Sequence, residues 1–167
     1  ALILPALLLG SIWVYGPMGK GIQAAEQTQW KNSLKALTDA TTRDPNLAVT
    51  WQQKGLVSAF LADEGDNVAL DESISSYEKT IEIDPYWSLN YLNLGALYMA
   101  NKDYVSARIS FLKATRLASE NFLVHFNLAI LEEKMENNDK AIEEYSLALT
   151  SVPEYYDAEF WDLSDLR

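Results

Sequence analysis

From residue 44 to residue 153 one order of bulky, small and polar positions returns along the chain. Asp44-Pro45 comes back as Asp84-Pro85, and six residues after Pro85 stands Tyr91, followed by Leu94-Gly95, Tyr98, Ala107, Phe111 and Ala114. A shift of 34 residues gives His125, Leu128-Ala129, Glu132, Ala141, Tyr145, Ala148 and Pro153. In the other direction Pro45 leads to Trp51, Gly55, Tyr77 and Thr80 before Pro85, with the interval stretched to 40 residues. Six extra residues therefore lie between Gly55 and Tyr77, and the polar run Asp63-Glu64-Gly65-Asp66-Asn67 is the expected place, as a lengthened turn between two helices. Apolar positions three and four apart predict helices near 46–62, 69–83, 87–100, 104–118, 121–136 and 138–151. A helix at 20–42 precedes them, and a short aromatic one at 155–165, with Tyr155, Tyr156, Phe160 and Trp161, follows.

The small residues Gly55, Gly95 and Ala129, with Ala107 and Ala141, let paired helices approach closely, while Tyr98, Phe111 and Tyr145 fill the seam beside them. No such pair covers its own apolar face, so stacking is compulsory. Asp84-Pro85 ends one helix, because the residue before proline is pushed out of the α region, and Pro85 is expected to open the next helix in its first turn.

These positions resemble the tetratricopeptide repeat, a 34-residue pair of antiparallel helices with a bulky residue, Leu-Gly, Tyr, Ala, Phe, Ala and Pro at the same intervals. The resemblance covers about Pro45 to Pro153 and is strongest from Tyr91 to Ala114. Ser119 replaces the closing proline of the middle repeat, and Glu132 stands where an aromatic is usual. The resemblance implies an all-α, right-handed α-solenoid of about three hairpins. Helix 20–42, with Trp30, Leu34, Leu37 and Ala40, is expected to cap it as the second helix of a repeat whose first helix is degenerate or absent. Helix 155–165 is expected to cap the other end, since a terminal repeat otherwise leaves an apolar face wet. The organisation is then 1–19 as a hydrophobic amino-terminal segment, 20–43 as a connecting helix, 44–153 as repeats and 154–167 as a closing cap.

Ala1 to Gly19 carries no charge and is rich in apolar residues, including Leu2, Leu4, Leu8, Ile12, Trp13 and Tyr15. The apolar run before Gly16-Pro17 is short for a hydrocarbon core about 30 Å thick, so it is expected as a truncated, tilted or shared span, or as an arm packed among neighbouring subunits. Trp13 and Tyr15 suit a membrane–water boundary. No basic n-region or small-residue cleavage site marks a signal peptide. The chain starts at Ala1 without Met, as a processed product or a piece of a longer polypeptide does. Expected localisation is membrane-associated, cell-surface or extracellular, on an unassigned side of the membrane.

Charge is uneven: residues 1–43 sum to +2 and the remaining 124 residues to −13, within a net −11 set by 13 basic and 24 acidic side chains among 167 residues. That balance disfavours a nucleic-acid backbone as partner. Cysteine is absent, which removes disulfides, thiolate metal sites and cysteine nucleophiles together. The single histidine, His125, falls at the bulky position held by Trp51 and Tyr91 and is expected to pack. Glu132, Glu133 and Glu136 read as a solvated charged face, and the Asp63–Asp71 stretch lacks the alternating oxygen spacing of a calcium loop. No metal, cofactor or catalytic residue is expected, and the chain is expected to be no enzyme.

In a solenoid of this kind the concave side is lined by the first helix of each pair. Gln53, Asn93 and Asn127 are equivalent by register and are expected as a ladder of amides along it, suited to the backbone of an extended peptide, with Phe60, Leu92, Met99 and Phe126 as apolar pockets. The leading expectation is a non-enzymatic assembly module that binds a protein or peptide and is held to a bilayer or to neighbouring subunits by residues 1–19. Two alternatives stand beside it. One is a pilin-like extracellular filament subunit, or another homo-oligomer, built by the apolar arm and head-to-tail contacts. The other is the carboxy-terminal repeat portion of a protein similar to O-antigen ligases, in which repeats follow a last membrane span.

Overall fold

A computed structural model describes residues 16–25 and 29–151, and these divide between two compact units, 1–86 and 87–167. Every regular element among the described residues is an α-helix. In the first unit α1 is residues 16–25, α2 is Trp30–Arg43, α3 is Ala48–Asp63 and α4 is Asn67–Ile83. In the second, α5 is Ser88–Ala100, α6 is Tyr104–Leu117, α7 is Phe122–Lys134 and α8 is Asn138–Ser151. The six helices from α3 onward begin and end within two residues of their expected places. The expected assembly residues Leu2, Leu4, Leu8, Ile12, Trp13 and Tyr15, and the expected helix 155–165, lie outside the described residues. No helix among the described residues is long and apolar enough to cross a membrane.

Each start and stop has a local cause. The Asp66 carboxylate accepts from the amides of Val68 and Ala69 at the head of α4, Asp103 from Ser106 at α6, and Asn121 from Leu123 at α7. These caps satisfy amides that have no partner inside the helix. Asp44 and Asp84 are extended, with φ −133° and −132°, as a following proline requires. Pro85, however, lies in a turn and α5 opens only at Ser88. The Asp84 carboxylate accepts from the Tyr86 amide at 3.3 Å and holds the chain in that turn.

The expected single helix at 20–42 is two helices. Gln29 is non-helical, and α1 folds back on α2 so that the Ser33 hydroxyl donates to the Gly21 carbonyl at 2.7 Å. A methyl group on Gly21 would stand 2.6 Å from Leu37 Cγ, so this crossing requires a bare Cα. Gly21 lies 34 residues before Gly55, and the first helix of that repeat is present instead of degenerate. One rule then closes all four hairpins. A small residue is followed by a small or hydroxyl residue twelve positions on and a bulky one sixteen positions on: Gly21 by Ser33 and Leu37, Gly95 by Ala107 and Phe111, Ala129 by Ala141 and Tyr145. In the pair α3/α4 the offsets grow by six, to Ser73 and Tyr77, and the Ser73 hydroxyl donates to the Gly55 carbonyl at 2.7 Å.

Those six residues are not in the turn. Three residues join α3 to α4, as three join α5 to α6 and α7 to α8, while α3 and α4 have 16 and 17 residues against 13 and 14 in α5 and α6. Each arm gains three residues, close to one turn of helix, so the antiparallel pair is extended in step and its seam stays in phase. The middle turn residue is left-handed every time: Gly65 at φ 100°, Lys102 and Glu136 at 61°.

The first unit buries Leu37, Val57, Leu61 and Tyr77. The second packs Leu92, Ala107, Phe111, Ala114, Val124, Leu128 and Leu131 together, with Tyr98 and Met99 against them. Phe111 is wholly enclosed and stands where a Cβ on Gly95 would be 2.6 Å from its ring.

Candidate interaction face

In the second unit α5 and α7 touch directly, and their shared face repeats by register. Leu89 and Asn93 are four residues apart on α5, Leu123 and Asn127 on α7, so each pair projects from one side of its helix. Leu89 is 46% exposed, Leu123 50% and Phe126 39%, while both asparagines are half-buried. Helix α5 has no charged residue at all. Phe126 stacks on Phe122, centroids 5.5 Å apart, and meets the edge of Tyr145 at 5.8 Å. The Tyr145 hydroxyl donates to Glu133 at 2.8 Å; burial first, and then that carboxylate, push its ionisation above the usual tyrosine value. Asn127 donates through Nδ2 to the Leu123 carbonyl of its own helix at 2.8 Å, which orients its amide.

Leu92 is not on this face. It is 5% exposed and belongs to the core, because one residue before Asn93 the helix has turned about 100° toward Ala107 and Phe111. Met99 is half-buried against the same core. Leu89 and Leu123, which sequence reasoning passed over, take the exposed place instead. The signal was available, since each stands four residues before an asparagine of the ladder.

In the first unit α3 presents Val49, Gln53, Leu56 and Phe60 at helical spacing. Gln53 is half-buried, and the other three are 41%, 39% and 44% exposed. Phe60 lies flat on Trp30 of α2, centroids 4.6 Å apart. Beside them Lys54 is buried, reaches Glu72 of α4 at 2.9 Å and sits 5.2 Å from the Trp51 ring centre.

Two polar groups differ from expectation or refine it. Glu132 is 1% exposed and is no solvated face: Arg108 of α6 donates to one carboxylate oxygen and Asn137 to the other, the latter at 2.8 Å. Burial pushes its carboxyl up, but the Arg108 and Asn137 hydrogen bonds outweigh it and hold the group below the usual glutamate value. An aromatic at that position fills space, whereas this carboxylate ties α6 to α7. His125 is buried as expected, and both ring nitrogens are engaged, Nδ1 with Glu144 at 2.7 Å and Nε2 with the Ser119 carbonyl at 2.9 Å.

The tetratricopeptide repeat family matches residues 90–121. No curated protein sequence matches the chain. Among solved structures the MamA protein superposes with TM-score 0.78 at 20% identity, over 86% of this chain and 75% of that one. A thermophilic repeat protein of Thermus thermophilus gives 0.70 at 18% identity, over 87% and 77% of the two chains. The first tetratricopeptide domain of Spaghetti (RPAP3), solved bound to the HSP90 peptide SRMEEVD, gives 0.68 at 15% identity, over 75% and 95%. Residues 90–121 therefore match a tetratricopeptide repeat, and with the repeat register and the closed hairpins these likenesses show the fold of the chain to be of the all-α solenoid class.

Proposed function

We propose that the chain is a non-enzymatic protein-binding module that takes an extended, largely uncharged peptide on the face shared by α5 and α7. The observation that carries this is the exposed pair Leu89 and Leu123 beside Asn93 and Asn127, on a face where α5 supplies no charge. Amides pair with a peptide backbone, and Leu123 and Phe126 take its apolar side chains. The domain of Spaghetti (RPAP3) bound to an HSP90 peptide supports a peptide as ligand class. That peptide carries Glu-Glu and a final Asp, whereas α5 has no charged residue and the position before Asn127 is Phe126, so a different, less charged sequence is selected. The uncharged stretch 1–15 is proposed as a tether to a bilayer or to neighbouring subunits, on its composition alone.

Peptides selected from a random library against the intact chain test this reading. Asn93→Ala with Asn127→Ala, and separately Phe126→Ala, are each expected to weaken the selected peptides about tenfold or more, or roughly 1.4 kcal/mol. The melting temperature should stay within a few degrees. Selected peptides that bind both variants as tightly as the parent overturn the assignment of this face.

A further inference from the structure

The repeat supplies its own control for surface residues, because one outward stripe recurs on the second helix of every hairpin. On α2 it is Lys31, Lys35, Thr38 and Thr42; on α4, Asp71, Ser75, Glu78 and Glu82; on α8, Asp139, Glu143, Ser146 and Thr150. All twelve are polar and exposed. On α6 the same four places hold Val105, Ile109, Leu112 and Arg116, with exposures of 67%, 57% and 37% for the three apolar ones. Nothing in hairpin closure demands these apolar residues, since the other three second helices do without them. A contiguous apolar stripe at a position that is otherwise polar marks a contact surface.

Charge narrows the partner. Helix α6 carries Arg108, Lys113 and Arg116 and no carboxylate, within a chain of net charge −11. Arg108 is held by Glu132, while Lys113 and Arg116 are exposed, and Lys113 is one turn beyond Ile109 on the same side. We infer that Val105, Ile109 and Leu112, flanked by Lys113 and Arg116, form a docking seam for an amphipathic helix of a protein partner whose apolar stripe is bordered by carboxylates. The spacing of four and then three residues is that of a helix-on-helix seam. Two α6 helices facing each other would oppose three cations to three. The acidic stripe of α4 offers no apolar residue to cover this one. An anionic membrane would meet the repulsion of the whole acidic body. This surface is separate from the α5/α7 face and does not depend on it.

The test uses the full chain and a fluorescein-labelled synthetic 18-residue helix with Leu at positions i, i+4, i+7 and i+11 and Glu on its flanks. Its comparators are a peptide with Lys in place of Glu and one of the same composition with the stripe scrambled. Anisotropy titration is expected to show at least about tenfold tighter binding of the acidic amphipathic peptide than of either comparator. Ile109→Glu should weaken it about tenfold or more, and Lys113→Glu severalfold with a smaller salt dependence. Ser75→Glu, the equivalent site on α4, should change nothing, and unchanged melting of all three variants shows that they fold. Equal binding of the three peptides, or binding indifferent to Ile109→Glu, overturns the proposal. So does Ile109-dependent self-association in sedimentation, or Ile109-dependent binding to phosphatidylserine-containing vesicles.

Discussion

The two units use one register and close it with different chemistry. In the first, the position twelve residues after Gly21, and its counterpart after Gly55, is serine, and each hydroxyl donates to the glycine carbonyl across the seam at 2.7 Å. In the second, the equivalent residues are Ala107 and Ala141, both at most 3% exposed, and the polar links lie elsewhere: Arg108 to Glu132 joins α6 and α7, while His125 to Glu144 and Tyr145 to Glu133 join α7 and α8. At that seam position the first unit therefore closes each pair with a hydrogen bond and the second with an apolar contact, its polar links being made by other side chains. The repeat requires smallness at that position and leaves polarity to whatever else the unit supplies.

Substitutions break or sharpen this contrast to different degrees. The largest effect is expected from Phe111→Ala, which empties the closed seam of α5/α6 and should cost about 3–5 kcal/mol in urea unfolding. Glu132→Ala should cost about 2 kcal/mol, less than a fully enclosed pair because Arg108 is about a third exposed. The same group makes the second unit acid-sensitive. Its folded pKa lies below the usual 4.5, so its contribution is complete above that value and is lost as pH falls through the folded pKa. Hydrogen exchange should show protection at 122–134 falling on acidification in the parent and much less so in Glu132→Gln.

In the first unit Ser73→Ala should cost about 1 kcal/mol, the net worth of one intramolecular hydrogen bond. The converse, Ala107→Ser, should be near neutral by the same measurement, because the Gly95 carbonyl gives the new hydroxyl a partner. The turns give changes no larger than that of Ser73→Ala. Lys102→Gly should gain up to about 1 kcal/mol at its φ of 61°, and Gly65→Ala should lose a similar amount at 100°.

Most of the helical pattern was legible because Asp-Pro, the small residues and the bulky residues punctuate it at fixed intervals. Four features were not. The chain is non-helical at Gln29, and the sequence from Glu26 to Gln29 contains neither glycine nor proline, so composition gave no reason to end a helix there. Gly21, standing 34 residues before Gly55, was the available sign. The six-residue insertion looked like loop because Asp63 to Asn67 is polar, but polarity marks exposure and does not distinguish a turn from the solvated ends of two longer arms. Of the candidate face, Asn93, Asn127, Phe60 and Phe126 lie on exposed or half-buried positions, whereas Leu92 faces the core. One residue is a rotation of about 100° on a helix, finer than an uncertain register resolves. Glu132 was hidden for another reason: its partner Arg108 is 24 residues away, and only the fold brings them together.

The contact of Gly95 with Phe111 carries the register most directly, and a double-mutant cycle measures it. Gly95→Ala should destabilise the parent, where its methyl meets the enclosed ring, and should become neutral or stabilising by up to about 1 kcal/mol in Phe111→Val, which lacks the contacted ring atoms. Equal effects of Gly95→Ala in the two backgrounds would contradict the account.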